Sequence, residues 1–196
     1  EALCLVEAQR VQPARALEPE FRFRPLDLGD AADLAAALDL QCDANDSGFE
    51  PGKYRLHRQR LLQRYRAMQA AGLGHWFGIW RGDSLLADCG LFRAGELGRF
   101  QHVGTHPQWR RRGLCTALID GVVQYGLQQM GLQRLVMCAD PVDVAIGIYK
   151  SLGFATHSRY FGAQLRPERD VRAMASRTCD AAQPPATISA KSVDLP

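Results

Sequence analysis

Between His75 and Ala139 the apolar residues change period, and that change restricts the fold more than any other feature of the chain. HWFGIW (75–80) and SLLADCGLF (84–92) read as strands joined by the turn RGD (81–83). RAGELG (93–98) is a second turn and RFQHVGT (99–105) a third strand. Strands joined by turns this short run antiparallel, so the three form a meander. HPQW then leads into helical spacing, with Leu114, Ala117, Leu118, Gly121, Val122 and Tyr125 on one stripe and Gly131 beyond its end. QRLVMCA (133–139) is short and almost wholly apolar, the pattern of a buried central strand.

FRFRPL (21–26) alternates and reads as an edge strand, and Asp30 can cap a helix through DLAAALDL. NDSGFEPG (45–52) is a loop. A second helix runs from Lys53 to Ala71, with Tyr54, Leu61, Tyr65 and Met68 on one stripe. DPVDVAIGIYKSLGF (140–154) holds a short helix with Ala145, Ile148, Tyr149 and Leu152 on one face and Gly153 at its end. Residues 154–164 supply a last strand or two. The order β-α-α-β-β-β-α-β-α-β predicts an α+β or mixed α/β domain over residues 21–172. Residues 1–20 show no clear period and read as an N-terminal extension. Residues 173–196, rich in Ala, Ser, Thr and Pro, read as a disordered tail.

Composition narrows the function. The formal charge of 24 − 21 = +3 is too small to imply nucleic-acid or membrane binding. No stretch approaches the roughly 18 apolar residues of a membrane span. Glu7 cuts the first apolar run, so that run does not read as a secretory signal. The chain opens on Glu1, as a fragment or processed form would. Its six cysteines form no C-x-x-C pair and no Cys/His cluster with metal spacing, so no metal is expected and a cytoplasmic setting is the simplest. Cys89 and Cys138 sit in apolar runs and read as buried.

Chemistry concentrates at the junction RFQHVGTHPQWRRRGLCTALI, where a strand turns through a proline into a helix that starts at Arg110-Arg111-Arg112-Gly113. A helix N-terminus offers unpaired N–H groups and the positive end of the dipole. Gly113 permits close backbone approach, and three guanidinium groups add forked donors for phosphate. The junction suits a pyrophosphate. A solvated basic helix start that binds nothing is the alternative. Neither a P-loop nor a dinucleotide-binding glycine pattern is present.

Arg110-Arg111-Arg112-Gly113-Leu114-Cys115 resembles the [QR]-x-x-G-x-[GA] acetyl-CoA signature of the GNAT superfamily of N-acetyltransferases. IYKSLGF (148–154) resembles that superfamily's closing L-Y-x-x-x-G-F element. Both lie in the expected order, with a helix and a strand between them, and the likeness spans about residues 21–165. It implies a mixed sheet in which an antiparallel meander is followed by a parallel β-α-β cofactor unit, with helices on both faces. It implies acetyl-CoA as co-substrate and a direct attack by an amine through a tetrahedral intermediate. The strand before the signature would splay from 133–139. That assigns the backbone of Val103, Gly104 and Thr105 to the acyl arm and Arg110, Arg111, Arg112, Gly113, Leu114, Cys115 and Thr116 to the pyrophosphate. Three departures stand out: Cys115 replaces the usual Gly or Ala, Arg111 stands where many members have Gly, and Val142-Asp143 occupy the neighbourhood of a cofactor-binding Asn.

Tyr149 stands where the superfamily often places the general acid for the leaving thiolate. It also lies on an apolar stripe, and a tyrosine can bury its ring while exposing its hydroxyl. The base stays open among Asp88, Glu96, His102 and a water chain. Asp88 interrupts an apolar strand, and a solvated edge position accounts for it more simply than catalysis. His102 and His106 flank the splayed strand, and imidazole titrates in a suitable range. Acceptor-site candidates are Asp43, Asp46, Glu50, Trp76, Arg159, Tyr160 and Phe161. The acceptor would be the amine of a small molecule, peptide or protein; a homodimer is allowed. The competing readings are a non-catalytic acyl-CoA-binding module of the same fold and a transferase for another acyl chain.

Overall fold

Asp30 accepts hydrogen bonds from the N–H groups of Ala32 and Asp33, and the helix it caps is α1 (Ala31–Asp43). Glu50 does the same for α2 (Pro51–Ala70), where Pro51 fits the first turn. The computed structural model describes residues 2–8, 17–46 and 48–161; the expected tail lies outside them, as do the side chains of 2–8, Tyr160 and Phe161. The strands are β1 (Ala2–Ala8), β2 (Phe21–Leu26), β3 (Gly74–Arg81), β4 (Ser84–Ala94), β5 (Leu97–Thr105), β6 (Arg134–Ala139) and β7 (Ala155–Phe161). Two further helices are α3 (Leu114–Gln128) and α4 (Ala145–Ser151).

All seven strands form one sheet in the order β2-β3-β4-β5-β6-β1-β7. The expected meander is β3-β4-β5, and β2 adds an antiparallel edge to it. β5 and β6 are parallel, as the crossover through α3 requires. One expectation is corrected. Residues 2–8 are not an extension outside the domain, because β1 lies between β6 and β7, antiparallel to both. Its partners are more than a hundred residues away in sequence, and local periodicity carries no trace of such pairing.

Alternation along β3 and β4 divides the core. Phe77, Ile79, Cys89 and Leu91 pack with Leu118 and Val122 of α3 and Tyr149 of α4. Trp76, Trp80, Leu85 and Phe92 pack with Ala37 and Leu40 of α1 and Leu62 of α2. Helices therefore cover both faces. On α2 the expected stripe is rotated: Leu62 and Arg58 are buried, whereas Tyr65 and Met68 are half-buried against the core. No helix among the described residues is long and apolar enough to cross a membrane.

Candidate active site

β5 pairs with β6 only from Leu97 to Arg99, opposite Arg134 to Val136. Beyond that point β5 stays bonded to β4 as far as Thr105, while β6 stays bonded to β1 as far as Ala139. The two strands diverge, and among the described residues the β6-facing edge of β5 from Phe100 onward has no neighbouring strand. A bulge helps to bend it: Cys89 faces Val103 and Gly90 faces Gln101, leaving His102 as the extra residue with φ of 41°. Between the strands lies a cavity of about 230 Å³, lined by Phe100, His102 and Val103 from β5, Met137 and Cys138 from β6, and Tyr149 from α4, among others. Cys138 is exposed rather than buried, because β5 no longer covers it where the strands part.

β5 runs from this wedge through a short 3-10 turn, Pro107–Trp109, into α3. Arg111 takes φ of 60°, and Gly113 caps α3 with φ of 79° and no side-chain hydrogen bond. A Cβ at Gly113 would meet nothing within 4 Å, so the space beside Gly113 is open. The three arginines differ. Arg110 donates two hydrogen bonds to Asp46, at 3.1 and 2.6 Å, and a third to the carbonyl of Thr105. Arg112 stacks on Trp109 at 4.6 Å from the ring centre. The N–H groups at this terminus, the dipole of a four-turn helix and adjacent guanidinium groups suit a diphosphate.

Tyr149 is 6% exposed, with its ring edge-to-face against Phe154. Burial pushes its hydroxyl pKa well up, and Cys115, Cys89 and Asp143 add to the rise. Burial, with a contribution from Asp143, likewise raises the Cys115 thiol to about 11. Both groups therefore hold their protons at neutral pH. The ring of Tyr149 belongs to the core, and the residue also lines the cavity.

Asp88 overturns the solvated-edge expectation. β4 is the third strand of the sheet, and Asp88 is 0% exposed. Gln41 Nε2 and Trp76 Nε1 donate to its Oδ2 at 2.7 and 2.9 Å, and Arg58 donates to Gln41 Oε1 at 2.9 and 2.6 Å. Asp88 Oδ1 faces His102 Nε2 at 3.5 Å. The structure thus joins Asp88 to His102 and the cavity. Glu96 lies apart, in the exposed β4–β5 turn where β5 and β6 are still paired. Gln41 and Arg58 escaped the sequence reading; the signal was the lone Asp in an apolar strand, which required partners.

The acceptor candidates scatter. Trp76 is consumed by Asp88, Glu50 caps α2, Asp46 holds Arg110, and Asp43 lies 3.8 Å from His106 Nε2. Arg159 is exposed on β7. Among the described residues, no group of three or more His, Cys, Asp and Glu side chains is placed to hold a metal.

The family model described as "Acetyltransferase (GNAT) family" matches residues 34–154, more than half of the chain. The fold is similar to that of a GCN5-related N-acetyltransferase from Kribbella flavida, with 17% identity, a TM-score of 0.58 and coverage of 81% of this chain and 56% of that one. It is similar to the ribosomal-protein-S18-alanine N-acetyltransferase of Escherichia coli, at 18% identity and TM-score 0.54, over 70% of this chain and 79% of that one. A third likeness is to the PaiA N-acetyltransferase of Thermoplasma acidophilum, solved with coenzyme A, at 13% identity and TM-score 0.54, over 66% and 86% of the two chains. The chain spans 49–61% of the length of several of the structures it matches. No curated protein matches it.

Proposed function

We propose that this chain, which belongs to the GNAT family of acetyltransferases, moves an acetyl group from acetyl-CoA to a primary amine. The observation that carries the proposal is the wedge between β5 and β6, which holds Tyr149 and leads straight into the uncapped start of α3. Acetyl-CoA supplies the activated acyl group as a thioester. The backbone of Val103, Gly104 and Thr105 lies on the stretch of β5 that β6 has left, where N–H groups can orient the pantetheine arm and polarise a carbonyl. The residues from Arg110 to Thr116 would hold the pyrophosphate. Arg110 must then exchange Asp46 for phosphate or bind both, and the open space at Gly113 admits the diphosphate close to the backbone.

Tyr149 keeps its proton at working pH and is the donor for the departing sulfur. The acceptor is an amine of a small molecule, peptide or protein, and its ammonium form must lose a proton before the nitrogen can attack.

The test is thiol release from acetyl-CoA across a panel of amines, read beside thermal stabilisation by CoA. Turnover with at least one amine supports the transferase. Stabilisation by CoA without turnover on any amine would instead favour the acyl-CoA-binding module. Stabilisation by longer acyl-CoAs above acetyl-CoA would change the acyl chain assigned.

A further inference from the structure

We propose that His102 is the general base of the transfer and that Asp88 is the residue that positions it; the proposal rests on the acetyltransferase reading above. A carboxylate inside a sheet is costly unless its oxygens are partnered. Asp88 Oδ2 has two donors, Gln41 and Trp76, and Gln41 is itself braced by Arg58. Oδ1 makes no hydrogen bond, and the polar atom it faces is His102 Nε2, also unbonded and buried. The network therefore fixes one carboxylate oxygen and leaves the other aimed at an imidazole.

The backbone is shaped for this contact in two places. His102 occupies the bulge of β5 with φ of 41°, a region costly for most side chains but more often adopted by histidine. Without the extra residue, strand alternation would set residue 102 differently. Gly104 sits opposite Asp88. A Cβ there would fall 2.7 Å from His102 Nε2 and 3.0 Å from Asp88 Oδ1, so the glycine leaves room for the pair.

His102 also lines the cavity that holds Tyr149. An Nε2–H facing the carboxylate leaves Nδ1 as the basic nitrogen, and Asp88 then stabilises the imidazolium once the proton arrives. The ammonium loses two protons as its nitrogen bonds to the acyl carbon and the carbon–sulfur bond breaks. One proton ends on the thiol, by way of Tyr149, and the other leaves through His102 to solvent. Tyr149 as acid and His102 as base are thus two titratable groups in one cavity with opposite tasks. The other titratable groups around the cavity are Cys138 on β6, Asp140 and Asp143 in the connection to α4, and Asp88 behind His102 on β4.

The test begins with the full chain and a reactive amine. His102→Ala should lower kcat/KM by about 10²–10⁴-fold, abolish the rising limb of its pH profile, and recover rate with added imidazole. Asp88→Asn keeps an oxygen for Gln41 and Trp76 and should lower kcat more than it raises KM for acetyl-CoA. Gly104→Ala, which wedges the pair apart, should behave in the same direction. A readout without substrate uses the nitrogen NMR shifts of His102. They should report the Nε2–H tautomer in the parent protein and a mixture in Asp88→Asn. Full turnover and an unchanged pH limb in His102→Ala would overturn the proposal while leaving the transferase standing. A parent protein that binds CoA and turns over no amine would overturn both.

Discussion

In the proposed transfer Tyr149 meets two demands with one side chain: its ring fills the core beside Phe154, and its hydroxyl protonates the leaving sulfur from the cavity it lines. Tyr149→Phe separates them, because only the hydroxyl is lost. Fold and CoA affinity should change little, and turnover should fall by roughly 10²-fold, within the range for a general acid. The loss should shrink with a donor whose thiol is more acidic, measured as thiol release under conditions where chemistry limits the rate. Unchanged turnover would reduce Tyr149 to a core residue. A second residue-level consequence concerns acid stability. The hydrogen bonds from Arg24 to Asp33, at 2.9 and 2.7 Å, chiefly hold this carboxyl below its ordinary range, and the Asp27 N–H helps. The folded pKa is depressed, so the stabilisation is complete above the unfolded value of about 3.9 and is lost as pH falls through the lower folded one. Thermal melts in acid should show the parent losing stability there more steeply than Asp33→Asn. At this scale the sequence exposed Tyr149 and Asp88 as oddities. It could not show that Asp88 is buried, because Gln41, its donor, lies 47 residues away on α1.

In the proposed function, the start of α3 is the element on which CoA binding turns. Gly113 holds φ of 79°, which a β-branched residue adopts only with strain of about 1–3 kcal/mol. Gly113→Val should therefore lower the melting temperature somewhat and, more tellingly, remove most of the stabilisation by CoA. In the parent that stabilisation should reach roughly 2.7 kcal/mol at a CoA concentration 100 times its dissociation constant. A variant stabilised as much as the parent would place the pyrophosphate elsewhere. Asp46 competes for Arg110 in the same region. Because exposed ion pairs contribute about 1 kcal/mol or less, Asp46→Asn should tighten CoA by no more than about fivefold, with the gain fading at high salt. Calorimetric titration at two ionic strengths measures it. The hairpin turns and the helical stripe of α3 were legible from spacing alone. The bulge at His102 was not, since RFQHVGT carries no mark of two residues facing one until β4 is laid beside it.

For the whole molecule, the sheet depends on a strand from the far end of the chain. β1 joins β6 to β7, so removing residues 1–8 leaves β7 without its partner and strips β6, whose other edge lines the cavity, of its support. That deletion should sharply lower the melting temperature and abolish stabilisation by CoA. A melting curve like the parent's would show that β1 is dispensable. ALCLV is a plain apolar run, and the one hint it offered was that composition; strand order is a property of pairing across the chain, not of any local window. The acetyltransferase assignment itself is tested most directly by thiol release from acetyl-CoA over an amine panel, comparing the parent with Tyr149→Phe at matched CoA saturation. Expected is turnover on at least one amine with an acetylated product by mass, lowered roughly 10²-fold in the variant. CoA that binds the parent without releasing thiol on any amine, peptide or protein acceptor would contradict it.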